Sequence, residues 1–335
     1  MKPPTQLYVQ LERDNGTTSQ EREPCRVHLS MDLAPVTPRE RGALSLLGLS
    51  VGDAFGEQFF RPAQDEERLL ATRTPPPSPW PYTDDTEMAL SIVAELWRHG
   101  SIDRDRLAKS FAWHYDGSRG YGPAMHRVLR AVREGEPWAD VTAREFAGQG
   151  SWGNGAAMRA GPLGAFFAED LRRVVEQAHR SAEVTHSHPE AIAGAIAVAV
   201  AAAMAWSERA RPSQLGRAEF LDRLLPFIPE TDVRSRIRRA RALPATASVP
   251  FAVSVLGNGT ELSAQDTVPF ALWCAGAHLD DVEQALWLAV SGGGDRDTLC
   301  AMVGSIVVLS TGSERVPAAW LAAREPLPSW PFEGP

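Results

Sequence analysis

Periodicity fixes the fold class before any residue chemistry is considered. Apolar side chains recur at helical spacing over residues 38–56, 86–99, 104–114, 123–133, 155–167, 170–182, 189–206, 214–225, 232–243, 267–275, 280–290 and 297–309, and no stretch alternates with period two. The pattern predicts an all-α fold in one domain over residues 37–325, preceded by an extension (1–36) and followed by a short tail (326–335). The apolar run at 191–206 is mostly alanine and is bounded by Pro189-Glu190 and Ser207-Glu208-Arg209, which predicts a buried central helix rather than a membrane span.

Charge narrows the partners. The net charge of −8 argues against nucleic acid, and the arginines are scattered among acidic residues, with lysine only at positions 2 and 109. Cys25, Cys274 and Cys300 have neither metal-ligand spacing nor a disulfide framework. With no apolar signal segment in residues 1–26, they read as reduced thiols of a cytoplasmic, monomeric protein.

Two acidic clusters carry the chemistry. Thr83-Asp84-Asp85-Thr86 and Gly292-Gly293-Gly294-Asp295-Arg296-Asp297-Thr298 offer hard oxygen ligands, which suit Mg²⁺, Mn²⁺ or Ca²⁺ rather than zinc. Brought together, four aspartates and two threonines could bridge two ions about 3.5–4 Å apart. The plain alternative is that each cluster caps the helix it precedes, since Asp84 and Glu87 stand at capping-box spacing. Asp53 lies among Gly48, Gly52 and Gly56, whose spacing of four bares one helix face to another backbone or to a ligand. It reads as support for the ions or as the partner of a neighbouring helix end. Residues 61–82 read as a proline-rich loop able to close over the first cluster.

Two glycine loops run into helical patterns: Gly117-Ser118-Arg119-Gly120-Tyr121-Gly122, and Gly150-Ser151-Trp152-Gly153-Asn154-Gly155 leading to Met158-Arg159. Free N–H groups at such a junction suit a phosphate, although glycines also simply make turns. Thr185-His186-Ser187-His188-Pro189 opens the alanine-rich helix, where a histidine suits a substrate contact better than zinc, for want of a third ligand.

With Val51-Gly52-Asp53-Ala54-Phe55-Gly56, the 83–86 cluster, the 150–159 loop, the 185–189 motif and the 293–298 cluster in this order, the sequence resembles the ADP-ribosylglycohydrolase family. That group includes the dinitrogenase-reductase-activating glycohydrolases. The resemblance implies an orthogonal all-α bundle with a binuclear metal site at helix N-termini, two Mg²⁺ or Mn²⁺ held by Thr83, Asp84, Asp85, Asp295, Asp297 and Thr298. It places Ser151, Gly153, Asn154 and Gly155 on a diphosphate, Gly120, Tyr121 and Gly122 at its distal side, Phe146 and Trp152 against adenine, and His186 along the ribose. The implied reaction is hydrolysis of the bond between ADP-ribose and an acceptor, either an ADP-ribosylated protein side chain such as arginine or serine or a small ADP-ribose conjugate. Asp85 or Asp297 would orient the water. The family's gating glutamate falls at Phe60 here, leaving Glu57 as the nearby acid for that role. The competing readings are a non-catalytic ADP-ribose-binding or structural relative, and another binuclear-metal nucleotide hydrolase.

Overall fold

Caps written into the sequence start and stop the helices. In the computed structural model, which describes residues 36–209 and 215–334, Thr37 opens α1 (Pro38–Glu57) with a capping box closed by Glu40. After α2 (Ala63–Thr72), Thr83 caps α3 (Asp84–His99), which ends at Gly100 with φ +71°. There follow α4 (Arg104–His114), α5 (Pro123–Arg133), α6 (Trp138–Ala143), the single turn α7 (Glu145–Gly148), α8 (Gly161–Phe166), α9 (Leu171–Glu183) and α10 (Pro189–Glu208). The second half contributes α11 (Arg217–Leu224), α12 (Asp232–Ala242), α13 (Val249–Leu256), α14 (Ala264–Ala277), α15 (Val282–Val290), α16 (Arg296–Thr311) and α17 (Ala318–Ala323). Among the described residues strand pairing is limited to isolated bridges, so the chain is all-α as its periodicity predicts.

Glycine decides which helices touch. A Cβ at Gly48, Gly52 or Gly56 would stand 2.3, 2.1 or 2.3 Å from the carbonyl oxygen of Gly304, Cys300 or Arg296. As the glycines advance by four their partners retreat by four, so α1 and α16 run antiparallel with backbones in contact. The bare face of α1 therefore receives another helix rather than a ligand. The alanine-rich α10 uses the same device: a Cβ at Gly164 of α8 would fall 1.9 Å from the Ala199 carbonyl oxygen. By length and composition α10 could cross a membrane, but it is packed against α8, α9, α14 and α16 and is almost wholly buried.

Several expectations need correction. The stretch 61–82 is not one long loop: Pro62 precedes α2, and its Glu66 pairs with Arg296 at the start of α16. The remaining proline-rich segment is anchored where Trp80 packs against Phe55 and Trp320 and donates its backbone N–H to the Ala323 carbonyl at 2.7 Å. The helix expected at 155–167 is a single 3-10 turn, Asn154–Ala156, followed by the short α8, because Asn154 and Gly155 are committed to the site described below. Within the short tail, Trp330 stacks on His114 at 3.6 Å and Phe332 lies edge-on to Trp97, contacts that do not alter its expected bounds. The extension 1–36 lies outside the described residues except for Val36.

Gly52→Ala forces apart two backbones that cannot yield separately, so it should lower the urea midpoint by the equivalent of about 3 kcal/mol or prevent folding, more than the same change at the exposed Gly135.

Candidate active site

Asp53 joins the first acidic cluster to α1. Its buried carboxylate accepts from the Thr83 backbone N–H at 3.0 Å and hydroxyl at 2.8 Å, and from the Thr86 N–H at 3.1 Å and hydroxyl at 2.5 Å. It thus satisfies the open amides of the α3 N-terminus. Of the two roles offered by the sequence, the structure assigns the pairing with a helix end, and that end carries Asp84 and Asp85. On the neighbouring side of α1, the contact of Gly56 with Arg296 and Asp297 delivers the second cluster. Residues more than two hundred positions apart thereby come within reach of one another.

The plain capping reading holds for Thr83 and not for the carboxylates. Thr83, not Asp84, supplies the side-chain cap of α3, and Asp295 makes no side-chain cap to α16. Glu87, expected to complete a capping box, instead accepts from the Tyr121 hydroxyl at 2.5 Å and the Asp116 N–H at 3.0 Å. Both acidic clusters therefore keep carboxylates that helix ends do not consume. Burial, followed by mutual repulsion, pushes Asp84, Asp85 and Asp297 well above the usual carboxylate range. Burial also raises Asp295, and it raises Asp53 to about 6 against the pull of its threonine hydrogen bonds. Half-buried Glu57, at the end of α1, is raised to about 7 by burial and then by Asp53 and Asp295. Phe60 is half exposed and turns away from any such role.

Two buried oxygens, Asp85 Oδ1 and Asp297 Oδ1, have no hydrogen-bond partner. Bare buried carboxylate oxygens are hard donors that fit divalent cations. Among the described residues no three His, Cys, Asp or Glu side chains form a closed metal cage. The fit therefore rests on these two oxygens and on the chemistry of the donors.

The glycine loop is tied to the same place. Asn154 donates from Nδ2 to Asp295 Oδ2 at 2.6 Å and to Thr267 Oγ1 at 3.0 Å. Its backbone N–H bonds the Leu262 carbonyl at 3.2 Å, and the Ala264 N–H bonds the Trp152 carbonyl at 3.0 Å. Ser151 Oγ accepts from the Gly153 N–H at 3.2 Å. Side chains at Gly153 or Gly155 would press into the His186 imidazole, the latter at 2.8 Å from Cε1. Phe146 and Trp152 stand 4.6 Å apart between ring centres, and Phe146 is 42% exposed, so one aromatic face is open beside the loop. Gly120, with φ +87°, lies next to Asp84, while the Tyr121 ring is buried and its hydroxyl engaged by Glu87. Of the 120–122 loop, Gly120 borders the first cluster and Tyr121 is taken up by Glu87.

His186 is held neutral. Burial lowers it to about 3, and the nearby Arg159 cation adds to this. Arg159 is itself buried and is brought down to about 9. It donates to the Gly155 carbonyl at 3.0 Å, the Ser181 carbonyl at 3.1 Å and Thr185 Oγ1 at 2.8 Å, with its guanidinium over the Phe111 ring. Thr185 Oγ1, which accepts from Arg159, stands 2.7 Å from His186 Nδ1; with the hydroxyl donating to that nitrogen, the imidazole proton lies on Nε2 toward the glycine loop.

Sequence reasoning assigned no role to Arg159 or to residues 257–267. Asn258 accepts the Asp295 N–H at 3.1 Å and donates to the Gly292 carbonyl at 2.8 Å, while a Cβ at Gly259 would strike the Asp295 side chain at 2.5 Å. The signal available was Gly257-Asn258-Gly259, with both glycines at φ +87°.

A model of the ADP-ribosylglycohydrolase family matches residues 34–330. The chain belongs to that family. It is 31% identical over 269 residues to the human ADP-ribosylhydrolase ARH3, covering 71% of this chain and 73% of the relative. Against ADP-ribosylhydrolase ARH3 of Xenopus tropicalis it is 30% identical over 341 residues, covering 88% of this chain and 93% of that one. A solved ADP-ribosylglycohydrolase-related protein complex superposes with a TM-score of 0.59 at 27% identity, covering 86% of this chain and 93% of its own.

Two measurements test this geometry. Asp85→Asn should raise the melting temperature in EDTA, by the equivalent of about 1–3 kcal/mol, because it removes a buried unpaired charge, and it should reduce the stabilisation that Mg²⁺ gives the wild type. In EDTA the wild type should lose stability from pH 4 to beyond 6, since the folded carboxyls keep protons that the unfolded chain has released. For the histidine, long-range ¹H–¹⁵N spectra should show the Nε2–H tautomer in the wild type and in Thr185→Ser, and a mixture in Thr185→Val.

Proposed function

We propose that this protein is a divalent-metal-dependent hydrolase that cleaves the bond between ADP-ribose and an acceptor, reversing ADP-ribosylation of a protein side chain such as arginine or serine, or freeing ADP-ribose from a small conjugate. The observation that carries the reading is the convergence of Asp85 and Asp297, with their bare buried oxygens, on a glycine loop tethered to Asp295 by Asn154. Family membership and the names of the matched relatives support the substrate class.

Thr83, Asp84, Asp85, Asp295, Asp297 and Thr298 are the residues that would hold two Mg²⁺ or Mn²⁺. When bound, such a pair supplies positive charge to orient the ribose hydroxyls and to acidify a water. The remaining work belongs to the chain. Backbone N–H groups of Ser151, Trp152 and Gly155 receive the diphosphate, while those of Gly153 and Asn154 hold the loop in shape, and Phe146 and Trp152 offer flat faces to the adenine. His186 donates from Nε2 as a neutral group along the ribose and does not serve as an acid. Bond cleavage at the anomeric carbon builds oxocarbenium character, which the surrounding carboxylates stabilise. Asp85 or Asp297 accepts a proton from the attacking water, and Glu57, raised to about 7 at the rim, is suited to exchange a proton with the departing acceptor.

The test is release of free ADP-ribose from arginine- and serine-modified peptides. Mg²⁺ should permit release and EDTA should stop it. Asp85→Ala and Asp297→Ala should each lower kcat by about a thousandfold or more, while the helical circular-dichroism signal persists. Retained turnover in both variants would overturn the assignment.

A further inference from the structure

A second cavity lies at the opposite end of α3 from the acidic site. The helix has sixteen residues, and from Asp84 to His99 it rises about 22 Å. At that far end α3, α4 and α5 enclose about 560 Å³, a volume that suits a small organic ligand. Its wall inverts the charge of the molecule. Arg98, Arg106, Lys109 and Arg133 face it against a single carboxylate, Glu95, which Arg106 already neutralises at 2.7 Å. The chain as a whole carries −8.

The C-terminal end of α3 attracts cations through its dipole, and this accounts for Arg98 and His99. Arg133 likewise stands in the last turn of α5 and meets the carbonyls at the end of α4, whereas Lys109, in the middle of α4, has no such reason to be there. The arginines are also preorganised. Arg133 is fixed by the carbonyls of Ala112 at 2.6 Å and Tyr115 at 2.8 Å, and Arg98 by the carbonyls of Trp330 and Glu333. Carbonyl partners hold the guanidinium groups in place without cancelling their charge, so little ordering cost remains for an anion that arrives. Lys109 is exposed and adds a mobile cation at the rim.

The same wall carries aromatic surface. The Trp113 indole is 79% exposed, and His114, whose ring stacks on Trp330, lines the cavity beside it. A single exposed tryptophan is unremarkable by itself. Beside the three uncompensated cations Arg98, Lys109 and Arg133 and a cavity of this size it supplies the missing half of a recognition pair, a flat face for a base next to charges for a phosphate. An acidic peptide would use the cations and leave the indole idle.

We propose that this cavity binds a nucleoside phosphate, base against Trp113 and phosphate among Lys109, Arg98 and Arg133, as a site separate from the acidic one. Adenosine monophosphate is the probe. In the full-length protein labelled at the ten indoles, the Trp113 N–H resonance is assigned by its loss in Trp113→Phe, and that of Trp152 serves as the reporter of the acidic site. Titration should move the Trp113 resonance saturably with Kd below about 1 mM. Adenosine alone and inorganic phosphate alone should each bind about tenfold more weakly, and Lys109→Glu should weaken the nucleotide about tenfold without moving the Trp152 titration. A Trp113 resonance that stays still at about 10 mM nucleotide overturns the proposal, whatever Trp152 does. So does a shift that Lys109→Glu leaves unchanged, and so does equal binding of inorganic phosphate, which would make the site a simple anion patch.

Discussion

The carboxylate of Asp53 is the interaction on which the acidic site depends. Four donors from Thr83 and Thr86 converge on it, and in satisfying the start of α3 it frees Asp84 and Asp85 from capping. The glycine contacts of the same helix carry the start of α16 to the adjoining position. The convergence is thus imposed by backbone packing and hydrogen bonding, because the side chains that meet there repel one another. Two helix N-termini lend positive potential, worth about 0.3–1 kcal/mol each and up to about 2 in buried settings. A buried charged carboxylate costs several kcal/mol unless it is compensated, so the helix ends alone do not offset the bare oxygens of Asp85 and Asp297. The raised carboxyls at this site carry that cost in the protein by itself.

Facing this acidic half is a half built from neutral and cationic groups. Arg159 spends its hydrogen bonds on carbonyls and a hydroxyl, fixing Gly155 on one side and Thr185 on the other. Asn154 spans the divide, with its backbone in the glycine loop and its amide on Asp295. Any shift of the loop is therefore felt at the second acidic cluster. Glycine at 153 and 155 is required by the imidazole ring as much as by the turn, so the loop and the histidine are one packing unit.

The legible parts of this site were those whose meaning is local. Paired aspartates with flanking threonines stand out as a cluster of hard oxygen donors before any fold is known, and glycines four apart announce a bare helix face. The partners were illegible because they are set by packing across the chain: nothing near Gly52 names Cys300, and nothing near Asp295 names Asn258. The Asp84 and Glu87 spacing suggested a capping box, yet a threonine one residue earlier reached the amide first and Tyr121 claimed the glutamate. Helix α2 escaped because only Leu69 of its ten residues is buried, too little apolar signal to set a period between two proline-bearing segments.

Placing the acid at Glu57 rather than at position 60 changes what that acid can do. Glu57 is the last residue of α1 and follows Gly56, whose backbone is clamped against Arg296 and Asp297. A carboxylate there rides on a rigid element, and swinging it away from the site requires only side-chain rotation. Position 60 lies beyond the helix end, where backbone motion could carry an acid in and out, and this chain places an exposed phenylalanine there. The segment that follows is tied to the same place: Glu66 of α2 pairs with Arg296 at the start of α16, the helix that bears Asp297.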